Sequence, residues 1–132
     1  KNETIKYLLK SLKFDRNSIK TRKFLAEIYI KSGDYEKAIE QFEYIIKGSD
    51  DVNDFNNLAS CYQSLKNYEN AAKFYEEGLK LAPNDTDMLY FASIAFYNLK
   101  DKKKMAQYVD MYSKISTQIT EKRKLKVLLD KL

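Results

Sequence analysis

The chain has 132 residues, 44% hydrophobic and 33% charged, with a formal net charge of +5 at pH 7. Three Gly and one Pro are too few for a many-turned all-β sandwich or barrel, so the composition favours helices. Without His, Ser-His-Asp and Cys-His catalysis and His-containing zinc sites are excluded, and we expect no catalytic residue, metal or cofactor. Cys61 cannot form an internal disulfide, and we interpret it as a small packed hydrophobe.

The first predicted element is a helix near residues 3–14, in which apolar residues recur at three- and four-residue spacing. They are Ile5, Leu8, Leu9, Leu12 and Phe14. Because the chain opens at Lys1 rather than Met, we expect it to be a segment of a longer protein. No apolar run approaches the ~18 residues of a membrane span.

An internal repeat occupies the centre of the chain. Residues 22–50, shifted by 33, match residues 55–83 at eight of 29 positions. A further shift of 34 gives a weaker third copy. This period indicates stacked helical units. The identities are Leu25/Leu58, Ala26/Ala59, Tyr29/Tyr62, Tyr35/Tyr68, Glu36/Glu69, Ala38/Ala71, Glu43/Glu76 and Lys47/Lys80.

Each copy is predicted to contain two helices with a short break between them. The break falls at Ser32-Gly33, Leu65-Lys66 or Leu99-Lys100, and is followed by a helix-capping residue, Asp34, Asn67 or Asp101. Small residues at fixed places allow the two helices to approach closely. Ala26, Ala59 and Ser93 are the small residues of the first helices. Ala38 and Ala71 are those of the second helices, and we expect Tyr29 and Tyr62 to be buried against the small residues of their own hairpins.

The pattern Leu25-Ala26…Tyr29…Gly33-Asp34-Tyr35…Ala38…Phe42, repeated from Leu58 to Pro83, resembles the tetratricopeptide repeat. The resemblance implies an all-α, right-handed superhelix of stacked antiparallel hairpins. Its divisions would be 1–16 (second helix of a truncated preceding repeat), 17–51, 52–85, 86–116 (a degenerate third repeat) and 117–132 (a C-terminal capping helix). We expect seven helices: one near 3–14, three hairpins between about 18 and 114, and one near 118–131.

The last helix has apolar residues on one face and five cations opposite. The apolar set is Ile119, Leu125, Leu128, Leu129 and Leu132, and a terminal repeat needs such a polar outer face. A capping helix is therefore the simpler interpretation. A basic amphipathic helix that meets a membrane surface or a partner is the alternative.

In the family that the chain resembles, the first helices of the hairpins line a concave groove that binds peptides or helices. The matching side chains change from charged to amide to aromatic along the chain. Asn and Gln both donate and accept hydrogen bonds, so the amides fit peptide binding and plain solvation equally. The candidates are Lys20, Lys23, Glu27, Asn53, Asn56, Asn57, Ser60, Gln63, Tyr90, Phe91, Ile94 and Tyr97.

Co-chaperone members of the family hold the C-terminal carboxylate of heat-shock chaperones in a clamp of Lys, Asn and Arg side chains. Lys23 and Asn57 stand in matching places, but Glu27, Asp87 and Phe91 replace the other members. Two carboxylates would repel the carboxylate of the ligand. We expect no chaperone carboxylate clamp.

The aromatic cluster Tyr90, Phe91, Ile94 and Tyr97 needs a cover, because exposed apolar patches mark interfaces. The final helix is the favoured cover. A partner's side chain or self-association through the third repeat is the alternative.

The function predicted from sequence is a non-catalytic protein-interaction scaffold, within a larger tetratricopeptide-repeat protein. Two alternatives are nucleic-acid or anionic-surface binding through Lys-rich helix ends and an auxiliary role beside an absent catalytic domain. Lysines dominate the cations, with only three Arg, and they are spread along the chain, which disfavours nucleic acid. We expect no membrane partner.

Overall fold

The computed structural model describes residues 2–132, so residue 1 of the predicted segment 1–16 lies outside it. The described residues form eight helices and no strand. The expected count of seven is wrong, because three hairpins contain six helices and one further helix flanks them at each end. The helices are α1 (Asn2–Phe14), α2 (Ile19–Ser32), α3 (Tyr35–Ile45), α4 (Val52–Ser64), α5 (Tyr68–Leu81), α6 (Thr86–Asn98), α7 (Lys102–Ile115) and α8 (Ile119–Asp130).

Three hairpins form the body of the molecule: α2 with α3, α4 with α5, and α6 with α7. The second helix of each hairpin also packs against the first helix of the next, α3 on α4 and α5 on α6. At the C-terminal end, α8 caps the row by packing on α7 and α6. The chain is therefore an all-α solenoid whose core runs along its length.

The close approach of the helices inside each hairpin depends on small residues. Ala26, Ala38, Ala59, Ala71 and Ser93 are all fully buried. In a close-packed interior, one added methylene at such a place requires neighbouring side chains to move. The predicted packing role of these residues is confirmed.

The two tyrosines expected opposite them differ from each other. Tyr29 is buried, as predicted. Tyr62 is only half-buried, so the prediction is wrong there. The Tyr62 ring stacks on Phe74 with 5.7 Å between centroids, and its hydroxyl extends outward to Glu43.

The same aromatic stack recurs one hairpin later. Phe96 and Tyr108 lie 34 residues after Tyr62 and Phe74, and their ring centroids are also 5.7 Å apart. In the first hairpin the place of Phe74 is taken by Gln41, which is buried. Among residues 2–132, a stacked pair of rings therefore lies between the two helices of the second hairpin and between those of the third, but not between those of the first.

Each hairpin turns through one residue in the left-handed region. The φ angles are 78° at Gly33, 61° at Lys66 and 59° at Lys100. Glycine adopts this conformation without a Cβ penalty, whereas lysine is strained in it. The repeat spacing thus fixes the backbone conformation even where glycine is absent.

Side-chain caps follow these turns in two hairpins of the three. Asn67 accepts a hydrogen bond from the Asn70 amide, and Asp101 accepts one from the Lys104 amide, as predicted. Asp34 stands at the start of α3, but its side chain makes no capping bond. The predicted cap is wrong at Asp34.

Three residues assigned to apolar faces lie at the surface instead. Leu9 and Phe14 are exposed on α1, the latter at 85%, and Ile119 is 63% exposed on α8. Both helices end the row, so each has neighbours on one side only. The apolar face predicted from spacing is therefore wider than the face that the solenoid buries.

We expect Lys66→Gly to raise the free energy of unfolding by up to about 1 kcal/mol. It relieves a left-handed residue that costs roughly 1–2 kcal/mol, and the greater chain entropy of glycine offsets part of this. Urea unfolding of the variant and parent measures the difference. Lys73→Gly, inside α5, is the matched control and should destabilise by about 1 kcal/mol. A Lys66→Gly variant less stable than the parent would contradict the strain argument.

Candidate partner-binding groove

The first hairpin holds its predicted groove cation in an ion pair. The Lys23 ammonium lies 3.4 Å from the carboxylate of Asp54, a residue of α4 that is 4% exposed. Asp54 also accepts a hydrogen bond of 2.6 Å from the Ser49 hydroxyl. A buried carboxylate needs such partners, so Lys23 joins α2 to α4. Sequence reasoning did not identify Asp54.

A second cation of α2 fastens the start of the solenoid. Arg22 donates to the buried side chain of Gln41 at 2.9 Å and to the carbonyl of Arg16. Its guanidinium carbon lies 3.8 Å from the ring centroid of Tyr44. Through these hydrogen bonds and the cation–π contact, Arg22 connects the loop between α1 and α2 to α3.

The middle of the groove is organised around one buried tyrosine. The Tyr75 hydroxyl donates a hydrogen bond of 3.0 Å to the side-chain amide oxygen (Oε1) of Gln63 and lies 3.2 Å from the Ser60 hydroxyl. Burial raises the pKa of Tyr75 above its ordinary value. With its oxygen occupied, the Gln63 amide keeps two N–H donors for other partners.

A small cleft opens beside this polar network. It is lined by Ser60, Gln63, Ser64, Tyr75 and Phe91, and so joins α4 to α6. The Phe91 ring stacks on Tyr75 with 6.0 Å between centroids. Hydroxyl and amide groups therefore face an aromatic wall across the cleft.

The three asparagines of α4 have different surroundings. Asn53 and Asn57 are exposed, while Asn56 is half-buried. The Asn56 Oδ1 atom is buried and has no hydrogen-bond partner within residues 2–132. An unpaired buried acceptor costs free energy, so of these three asparagines only Asn56 has a side-chain oxygen that neither solvent nor a described residue satisfies.

The aromatic side chains of α6 form a continuous cluster with α7 and α8. Tyr90 meets Phe91 edge to face at 5.5 Å and meets Tyr112 of α7 at 5.7 Å. The Lys124 ammonium of α8 lies 5.9 Å from the Tyr90 ring centroid. On the same helix, Leu125 is fully buried.

The structure thus gathers some predicted residues and separates others. Ser60, Gln63 and Phe91 meet around Tyr75, and Tyr90, Ile94 and Tyr97 are half-buried on α6. Lys20 and Glu27 line a different hollow along α2, with Ile19, Lys23 and Phe24. The charged α2 positions are therefore not part of the amide–aromatic cleft.

Two glutamates accept hydrogen bonds from tyrosine hydroxyls of neighbouring helices. Tyr62 of α4 donates to Glu43 of α3 at 3.0 Å, and Tyr108 of α7 donates to Glu76 of α5. The Lys104 ammonium also lies 2.9 Å from Glu76. Glu43 and Glu76 occupy the same repeat position, 33 residues apart. This identity was the one sequence feature that pointed to a role for the two glutamates.

Packing contacts account for Cys61 and for one lysine of the Lys-rich run 100–104. Cys61 is buried, as predicted, and desolvation raises its pKa to about 11. In the Lys-rich run 100–104, the Lys104 ammonium forms an ion pair with Glu76 and lies over the Phe96 ring. In the described part of the chain, no cluster of His, Cys, Asp and Glu could hold a metal ion, and no helix is long and apolar enough to cross a membrane.

Alkaline pH should weaken these outer contacts. Burial, the hydrogen bond to Glu43 and its charge raise the pKa of Tyr62 to about 12, and the pKa of Tyr108 is raised for the same reasons through Glu76. A raised folded-state pKa adds stability below the unfolded pKa of about 10, and that stability is lost as pH rises towards 12.

We therefore expect thermal melts between about pH 9 and 12 to fall less steeply for Tyr62→Phe than for the parent. Tyr7→Phe, at an exposed tyrosine of α1, is the control and should leave the slope unchanged. Equal slopes for Tyr62→Phe and the parent would contradict the assignment.

Comparison with known proteins agrees with this architecture. Sequence profiles described as tetratricopeptide repeat match residues 24–47 and residues 53–85. The transcription factor tau 131 kDa subunit of Saccharomyces cerevisiae is 34% identical over 71 residues. That match covers 51% of this chain and only 7% of the length of the yeast subunit.

Two solved structures share the fold. The crystal structure of MamA superposes with a TM-score of 0.78 at 17% identity, over 96% of this chain and 81% of MamA. YrrB, described as a TPR protein with an unusual peptide-binding site, gives 0.77 at 17% identity, over 87% of this chain and 61% of YrrB. Identities this low show the fold alone. The two profile matches, together with the hairpin geometry, show that the chain contains tetratricopeptide repeats.

Proposed function

We propose that this protein is a non-catalytic scaffold that binds an extended peptide across α4 and α6. A tetratricopeptide-repeat fold supports protein–protein interaction in general, and the peptide site is the finer proposal. The observation that carries it is the cleft between these helices, where polar groups of α4 face the aromatic wall of α6. Binding pockets combine a few oriented polar groups with apolar lining in this way.

The polar side of the cleft suits a peptide backbone. Gln63 is held by the Tyr75 hydroxyl, so its amide N–H groups point away from that bond and can donate to a carbonyl. Asn57 is exposed and can both donate and accept. Backbone groups alternate donors and acceptors along an extended chain, which matches amide side chains without fixing one peptide sequence.

The aromatic side supplies the selectivity. Tyr90, Phe91, Ile94 and Tyr97 are half-buried in the free chain, so a bound apolar side chain could cover their remaining exposed surface. Aromatic residues at interface centres dominate binding free energy. We propose a ligand with one or two apolar side chains that sit on α6, flanked by polar positions along α4.

The chaperone carboxylate clamp is not part of this proposal. Lys23 is held by buried Asp54, which leaves its ammonium partly neutralised. Glu27 and Lys20 lie in the separate hollow of α2. The groove therefore has no concentration of unpaired cations to hold a terminal carboxylate.

The division into repeats follows from the same proposal. We propose that α1 is the second helix of a preceding repeat, that α2–α3, α4–α5 and α6–α7 form repeats 17–51, 52–85 and 86–116, and that 117–132 closes the array. The chain would then be one segment of a longer scaffold. The absence of His and the separation of adjacent carboxylates such as Glu76 and Glu77 on α5 support a non-catalytic role.

The most direct test is capture of partners from a lysate with the full-length protein, followed by mapping of the bound segment on overlapping peptides. The proposal predicts a short linear segment with apolar side chains. A captured partner that is bound only as a folded domain, or that contacts neither α4 nor α6, would contradict it.

We expect the double change Tyr90→Ala with Tyr97→Ala to weaken binding of the mapped peptide about tenfold or more, because aromatic contacts of a groove carry about 1–2 kcal/mol each. Fluorescence anisotropy measures the affinity, and a thermal melt measures stability. Tyr7→Ala, at a tyrosine of α1, is the control and should not change binding. A fall of several degrees in melting temperature with binding intact would place these side chains in the core and remove α6 from the site.

A further inference from the structure

The cleft between α4 and α6 contains a short chain of hydrogen bonds whose direction is fixed by one proton. The Tyr75 hydroxyl has a single O–H, which it donates to Oε1 of Gln63. The Ser60 hydroxyl lies 3.2 Å from the same Tyr75 oxygen. Because the Tyr75 proton is already used, Ser60 is the donor in this second contact. The chain of donors therefore runs from Ser60 through Tyr75 to Gln63.

Tyr75 is the fixed centre of this chain. It is 1% exposed, and its ring stacks on Phe91 of α6. Burial raises the pKa of its hydroxyl, so the group stays protonated and remains a donor at neutral pH. Ser60 and Gln63 are half-buried and reach Tyr75 from successive turns of α4. Tyr75 thus restrains the orientation of both side chains.

This direction gives the two α4 side chains opposite hydrogen-bonding characters. Ser60 uses its proton on Tyr75, so its oxygen presents lone pairs to the cleft. Gln63 turns Oε1 to Tyr75, so its Nε2 group keeps two N–H donors. Ser64, which is exposed at the edge of the cleft, can rotate its hydroxyl to serve as donor or acceptor. A bound group therefore needs a donor for Ser60 and an acceptor for Gln63.

The cleft is also electrically neutral. Of the residues 2–132 that line it, none is charged. A carboxylate or an ammonium group would lose its hydration beside the Phe91 ring without gaining an ion pair from the lining residues, which costs free energy. A carboxylate has only acceptors to offer Ser60, and an ammonium group has only donors to offer Gln63. A carboxamide is uncharged and carries an acceptor and two donors on one planar group.

We propose that the cleft binds an uncharged carboxamide, the side chain of an Asn or Gln in a bound peptide, with its carbonyl oxygen on Gln63 and its N–H on Ser60. Tyr75 is the positioning residue, because it sets the direction of the hydrogen bonds that Ser60 and Gln63 make. This assignment rests on the proposed peptide function and adds the chemical class of one ligand side chain. Its position between α4 and α6, both of which have neighbours on either side, does not depend on where the chain begins or ends.

The test starts from a displayed library of random peptides, selected on the chain of residues 1–132. Enriched peptides should share an Asn or a Gln. Each is then synthesised with the selected amide, with its acid and with an apolar side chain of similar size, namely Gln, Glu and Met, or Asn, Asp and Leu. By fluorescence anisotropy, the amide version should bind about tenfold tighter than the other two, because they leave Ser60 or Gln63 without a hydrogen-bond partner.

Two variants of the protein test the roles of the side chains. Tyr75→Phe keeps the ring on Phe91 but removes the hydroxyl, so the amide preference should fall to about threefold or less while affinity for the apolar version stays within about twofold. Gln63→Leu, at a half-buried side chain outside the core, should abolish the preference. Gln107→Leu, at an exposed glutamine of α7, is the matched control and should keep it. Circular dichroism checks that each variant is folded.

Three results would overturn the carboxamide assignment. They are equal affinities of the parent for the three versions, a preference for the acid, and an amide preference that persists in Gln63→Leu. A peptide bond offers the same donor and acceptor, so the ligand backbone is the other source of this chemistry. If the side chain has no effect, but N-methylation of the peptide backbone weakens binding to the parent and not to Gln63→Leu, the cleft binds the backbone instead.

Failure of this assignment can be told apart from failure of the peptide function. Tyr90→Ala with Tyr97→Ala should weaken all three versions by the same factor and leave their order unchanged. Peptides that depend on these tyrosines but show no amide preference would keep the peptide function and remove the carboxamide. Peptides that this double change does not affect, or a library in which no peptide is enriched, would overturn both.

Discussion

Close approach of paired helices at fully buried small residues is the contact on which the other features of this solenoid depend. Ala26 and Ala38 lie on the two helices of one hairpin, and Ala59 and Ala71 on those of the next; all four are fully buried, and their small side chains leave room for the helices to pack closely. Between helices packed in this way the Tyr62 and Phe74 rings stack across a hairpin, as Phe96 and Tyr108 do in the next one. The packing of the two helices in each hairpin also determines how consecutive hairpins stack. The regularity of the groove therefore depends on buried alanines.

The fold was predictable because its determinants repeat. A 33-residue identity, a small residue in each helix and a break before each capping residue specify hairpins without knowledge of tertiary contacts. The errors arose where a position departs from the repeat. Tyr62 was expected to be buried, like Tyr29, against the small residues of its own hairpin. Phe74 stands where the first hairpin has the polar Gln41, and the Tyr62 ring stacks on Phe74 instead. The faces of α1 and α8 were drawn too wide because periodicity does not reveal that a helix has neighbours on one side only.

The candidate groove was less predictable than the fold. Ser60, Gln63 and Phe91 line one cleft, but Tyr75, which contacts Gln63 and Phe91, belongs to the second helix of its hairpin, whereas the candidates were taken from the first helices. Lys23 was predicted to line the groove, and its ion pair with Asp54, 31 residues later, has no local signal in the sequence. Contacts between consecutive hairpins depend on side-chain reach, which spacing along one helix does not contain.

Uneven attachment of the helices gives the chain a gradient of local stability. The central helices α4 and α5 have neighbours on both sides, whereas α1 has no buried residue and is held chiefly by α2 and the contacts of Arg22. In a row of units that touch only their neighbours, opening begins at the end with the weakest interface. Backbone amides of α1 should therefore exchange with solvent deuterium through local opening that leaves the central hairpins closed. Exchange would therefore report this gradient at α1 before any change in the melting of the whole chain.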